Sequence, residues 1–118
     1  MPKQSSKKLK ENVEKDLTGA FCQLLSEIRT PKEAHQFCEA FFSPSEMSML
    51  MKRLGIAYEL EENKPYLEIQ KELNVSSATI ATVAMRLHLP GYKKALSLLH
   101  TAFWAKNWSK KLLRPFKK

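Results

Sequence analysis

Two helix-start signals of the same form stand thirteen residues apart, Thr30-Pro31-Lys32-Glu33 and Ser43-Pro44-Ser45-Glu46. In each, a hydroxyl can cap a free helix N–H, a proline takes the first helical position where no N–H is needed, and a glutamate can reach back to the helix start. They leave room for one short helix between them, ending at about Phe42. Upstream, Leu9, Val13, Leu17, Ala20, Phe21, Leu24, Leu25 and Ile28 recur at three- and four-residue steps, which predicts one face of a long amphipathic helix ending before Pro31. Downstream, Met47, Leu50, Met51, Leu54, Ala57 and Tyr58 continue a helix to about Glu62.

Asn63-Lys64-Pro65 breaks that pattern, and a short helix runs to Leu73. Asn74-Val75-Ser76 reads as a tight turn, with Ser76 capping a further helix to about Leu87. Pro90-Gly91 is expected to close that helix, and Tyr92 to about Leu113 to form the last one. With three glycines and no alternating β-branched run, no sheet is expected, and the fold class is all-α. A length of 118 residues fits one domain or one half of an intertwined dimer.

The net charge of +8 is unevenly placed. Residues 1–10 carry four lysines and no acid, residues 11–85 seven basic against twelve acidic groups, and residues 86–118 nine basic groups and no acid. Basic ends flanking an acidic centre point to polyanion contact, because Lys and Arg that displace condensed counterions supply affinity for nucleic acid. For the first residues a solvated tail is an equal reading. Cys22 and Cys38 lack the spacing of a metal set or disulfide framework and are expected to be reduced core residues. His35, His88 and His100 are too scattered for a metal site, and no catalytic pair or phosphate loop is present. The chain reads as a non-enzyme with no cofactor and no metal. It has no stretch of the roughly 18 apolar residues that a membrane span needs, and a cytoplasmic location is expected.

The segment Tyr66 to Val83 carries the functional signal. Ile69 and Leu73 are expected to bury the first helix, Val75 to plug the corner, and Ile80 and Val83 to anchor the second. Ser77, Ala78, Thr79 and Thr82 are left facing outward. This is the pattern of a helix-turn-helix, in which a short helix props a second one into the major groove. Ser76 and the free N–H groups beside it suit a phosphate. An ordinary helical hairpin has the same spacing.

With the preceding helix added, Phe42-Ser43-Pro44-Ser45-Glu46, then Lys52-Arg53-Leu54-Gly55-Ile56-Ala57-Tyr58-Glu59-Leu60, then Leu73-Asn74-Val75-Ser76 and Ala78-Thr79-Ile80, the chain resembles the Trp repressor superfamily over about residues 9–100. The resemblance implies a six-helix subunit in an intertwined homodimer, binding two-fold symmetric double-stranded DNA as a transcriptional regulator. It divides the chain into a flexible basic N-terminus (1–8), a helical domain (9–100) with the helix-turn-helix at about 65–88, and a basic, aromatic extension (101–118). The DNA-binding set it implies is Lys64, Lys71, Ser76, Ser77, Ala78, Thr79, Thr82 and Arg86, with Arg53 in a ligand pocket.

Departures narrow the resemblance. Tryptophan-sensing members carry a second arginine where Thr82 stands and a glycine where Val83 stands, so the implied relative is not a tryptophan sensor. Basic DNA-contacting positions of the family are Leu67 and Gln70 here. Without a bidentate arginine in the reader's first turns, discrimination falls below the ~1–3 kcal/mol of a good base contact. The alternative is a helical interaction module, or a nonspecific polyanion or membrane-surface binder, that has lost operator recognition. In the extension, Lys93, Lys94, Lys106, Lys110, Lys111, Arg114, Lys117 and Lys118 interleave with Phe103, Trp104, Trp108 and Phe116. They suit phosphate contact or an anionic membrane surface, and the aromatics nearest Leu99 suit core packing.

Overall fold

A computed structural model describes residues 7–105. The tail before Lys7, the helix end expected near Leu113 and the readings placed on residues 106–118 lie outside the described residues, as do the side chains of Phe103 and Trp104. The elements are α1 (Glu11–Glu27), α2 (Pro31–Phe41), α3 (Pro44–Glu61), α4 (Tyr66–Leu73), α5 (Ser77–Arg86) and α6 (Pro90–Ala105), with no strand among the described residues. The described residues divide into two compact units, one up to Ser48 and the other from Met49.

The caps form as the residue types dictate. Thr30 Oγ1 accepts the Glu33 N–H at 3.1 Å, and Glu33 Oε1 accepts the Arg29 N–H at 3.2 Å. At α3 the box is reciprocal: Ser43 Oγ accepts the Glu46 N–H at 3.1 Å and Glu46 Oε1 accepts the Ser43 N–H at 2.8 Å. Pro31 and Pro44 open their helices, where a missing N–H costs nothing. Pro90 does the same for α6, which corrects the reading of Pro90-Gly91 as a helix end. The chain leaves α5 through Leu87, and the N–H groups of Tyr92 and Lys93 bond the Leu89 carbonyl at 3.0 and 3.1 Å to start the next helix.

In the first unit α1 buries no residue. Phe21 of α1 lies 5.8 Å from Phe37 of α2, which stacks on Phe41 at 4.4 Å, but Leu17 and Phe41 stay 55% and 60% exposed. Both cysteines are free, Cys22 exposed and Cys38 half-buried, so neither is a core residue of the subunit. Leu9 and Ile28, expected on the first helix, flank it instead: α1 begins after Lys10, which supplies no side-chain cap, and Ile28 is its extended C-cap.

The second unit closes a core of Ile56 and Ala57 (α3), Ile69 (α4), Ile80 and Val83 (α5) and Leu96 (α6). Leu73, Val75, Leu87, Tyr92 and Leu99 pack against it. Each fully buried isoleucine contributes about 1.5–3 kcal/mol of transfer free energy. Gly55 lets α3 approach α4, since a Cβ there would meet Leu73 Cδ1 at 3.1 Å.

Candidate nucleic-acid interface

α4 ends on Asn74 in the left-handed conformation, φ 56°, a region Asn tolerates better than most residues. The Val75 N–H then returns to the Gln70 carbonyl at 3.3 Å. Lys52 Nζ donates to the Asn74 carbonyl at 3.2 Å, a cation meeting the negative end of α4. Ser76 starts α5: its Oγ accepts the Thr79 N–H at 3.1 Å. This turn is therefore held from both helices and from α3.

One face of α5 is spent on the core, with Ile80 fully buried and Val83 3% exposed. The other face presents Ser77, Ala78, Thr79, Ala81 and Thr82, all exposed, and then Arg86. Their hydroxyls are not equivalent. Ser76 Oγ and Thr79 Oγ1 share a hydrogen bond of 2.9 Å, and Thr82 Oγ1 donates to the Ala78 carbonyl at 3.0 Å. Among the described residues, Ser77 is the reader hydroxyl left without a protein partner.

The cations expected beside the reader separate into two groups. Lys71 is exposed in the last turn of α4, and Arg86 in the last turn of α5, where both also complement a helix C-terminus. Lys64 is held apart from them, half-buried between Glu72 Oε1 at 3.3 Å and Glu59 Oε2 at 3.6 Å. Both carboxyl groups face its ammonium.

Glu59 is not a solvated carboxylate of a helix face. Its side chain is 13% exposed and Oε1 is buried without a hydrogen-bond partner. Burial, with the Glu72 carboxyl alongside, pushes its pKa up to about 7, while the hydrogen bond from Glu59 holds Glu72 below its ordinary value. Of the two carboxyls, the more buried Glu59 is the one whose protonated form the fold favours. Glu61 meets His100 Nε2 at 2.8 Å, linking α3 to α6.

Two depressions flank the reader. One, of about 270 Å³, lies at the turn and is lined by Lys52, Arg53, Asn74, Ser76 and Thr79 among others. The other, of about 480 Å³, is lined by Arg53, Thr82, Val83, Arg86 and Tyr92. Arg53 thus borders both. Tyr92 was not singled out from the sequence, because only the fold of α6 brings it to the reader. Among the described residues no cluster of His, Cys, Asp or Glu suits a metal, and no helix is long and apolar enough to cross a membrane.

A short helix, a capped left-handed turn and a second helix with one buried and one small, exposed face define a helix-turn-helix protein. The family model for the Trp repressor protein matches residues 17–100, from within α1 into α6. The chain belongs to the Trp repressor family, an all-α family of DNA-binding regulators. The match begins at Leu17, later than the residue 9 expected, and ends before Thr101. No curated protein sequence and no solved structure matches the chain.

Proposed function

We propose that this protein is a dimeric, cytoplasmic transcriptional regulator that binds a two-fold symmetric site in double-stranded DNA through α4 and α5. The observation that carries the reading is the division of α5 into a buried apolar face and an exposed face of small residues, behind a turn fastened by Asn74, Ser76 and Lys52. Ser77 is the leading base-edge contact, since its hydroxyl alone is uncommitted. Ala78 and the Thr79 methyl suit a thymine methyl, and Thr82 offers lone pairs rather than a proton. Lys71 and Arg86 supply backbone contacts, and Lys64 chiefly holds α4 in place through Glu59 and Glu72. The dimer reading is supported by α1, which buries no residue and leaves Val13, Leu17, Leu24 and Leu25 of its apolar stripe more than a third exposed.

A second reading, a helical interaction module without operator recognition, is favoured by one observation. Leu67 and Met85, on the two helices of the motif, are 69% and 75% exposed, and such side chains suit a protein partner better than phosphate. Retention of random-sequence duplexes at near-physiological salt, followed by sequencing, separates the two. The regulator enriches a paired motif; an interaction module enriches none.

A further inference from the structure

The outward face of α5 is short of hydrogen-bond donors. Ala78, Ala81, Thr82 and Met85 stand at i, i+3, i+4 and i+7, which places them along one side of the helix, opposite the buried Ile80 and Val83. All four are exposed, Met85 to 75%. The two alanines carry only methyl groups, Met85 ends in a thioether methyl, and the Thr82 hydroxyl spends its proton on the Ala78 carbonyl at 3.0 Å. Before Arg86, α5 has no Arg, Lys, Asn or Gln, the residues whose paired polar atoms read guanine or adenine. At the helical rise the stripe runs about 10 Å from Ala78 to Met85, close to the ~12 Å width of the major groove.

A methyl-rich face needs an apolar partner, and charge decides between the candidates. α5 carries no acidic residue, and Lys71 and Arg86 are exposed on the two helices of the motif. The depressions on its flanks are lined by Lys52, Arg53 and Arg86, with no carboxylate among the described residues. Such a surround is complementary to a polyanion. A protein partner of standard size takes about 800 Å² per side around large anchors, whereas three of these four side chains are small. On the major-groove edge of ordinary DNA bases, the apolar group is the C5-methyl of thymine. We propose that α5 selects DNA by its thymine methyl groups, with Ala78, Ala81, Thr82 and Met85 packing against a row of them where the helix crosses the major groove. The preferred half-site is therefore thymine-rich, and selectivity is kept without a bidentate arginine. This selectivity rests on the DNA-binding reading and adds to it the base chemistry that is recognised.

The test replaces thymine by uracil, which keeps the pairing edge of the base and removes only the C5-methyl. Random duplexes retained by the full chain at near-physiological salt are sequenced, and the enriched site is then titrated in its thymine and its uracil form. The expected site is thymine-rich. Its uracil form binds about 4-fold more weakly per methyl removed, the worth of burying one methyl-sized group, and about 10-fold or more in all. Met85→Gln is close in length at a side chain 75% exposed, so it should keep the helix content and the salt dependence of binding. It should lose uracil sensitivity at one thymine of each half-site. Equal affinity for the two forms, or unchanged uracil sensitivity at every position in Met85→Gln, overturns the proposal and leaves the regulator reading standing. Enrichment of no site overturns both and leaves the stripe to a protein partner.

Discussion

α1 and α5 both carry an apolar stripe at helical spacing, yet α5 buries Ile80 and Val83 while α1 buries nothing. The difference lies in what each stripe meets. α5 packs into a core to which α3, α4 and α6 contribute, whereas Val13, Leu17, Leu24 and Leu25 of α1 remain more than a third exposed. An amphipathic helix gains little from its own propensity and needs a partner surface. The C-terminal unit thus closes its own core, whereas the N-terminal unit leaves the α1 stripe exposed, the face that the proposed dimer would cover.

The largest expected effect tests this contrast at the level of stability. Ile80→Ala should cost about 2–5 kcal/mol, as deletions from a closed core do. Leu17→Ala, at 55% exposure in the subunit, should cost less than about 0.5 kcal/mol at protein concentrations low enough for sedimentation to show monomer. Equal costs in thermal or urea unfolding would erase the distinction. Next in size, the double substitution Leu17→Asp with Leu24→Asp should shift sedimentation from dimer to monomer mass while leaving helix content nearly intact. A variant that stays dimeric would move the interface elsewhere.

Cap removal sharpens the comparison further. Ser43→Ala and Ser76→Ala should each cost about 1 kcal/mol, because each exposes a helix-start N–H. Only Ser76→Ala should also weaken DNA retention, since it loosens the reader and not α3.

The smallest effect is a pH dependence confined to the C-terminal unit. Glu59 has a raised pKa in the folded protein, so its contribution is complete below 4.5 and is lost as pH rises through about 7. Glu72, whose pKa is lowered, contributes in the opposite sense, losing its part as pH falls below the ordinary carboxylate range. Melting temperature should therefore drift downward from pH 4.5 to about 7 in wild type, and Glu59→Gln should flatten that drift. An unchanged slope in Glu59→Gln would remove this carboxyl from the account.

What was legible in the sequence was local. The Thr30 and Ser43 boxes, the Asn74 turn and the Ser76 cap each depend on residues within a few positions of one another, and periodicity alone put Ile69, Ile80 and Val83 inside. Tertiary meetings were not legible: Lys52 with the Asn74 carbonyl spans 22 residues, and Lys64 reaches Glu72 eight residues away only because α4 turns back. Pro90 shows a different limit, since proline beyond one helix and proline opening the next look alike in sequence. Cys22 is exposed on α1, a helix that buries no residue, which the apolar spacing of its stripe did not foretell.

The most direct test joins the two regions in one measurement: sequencing of random duplexes retained by wild type and by the Leu17→Asp, Leu24→Asp variant. The account predicts that wild type enriches a two-fold symmetric site with half-site centres about one helical turn apart, and that the variant loses the paired site. Enrichment of no motif, or the same unpaired motif from both proteins, would contradict it.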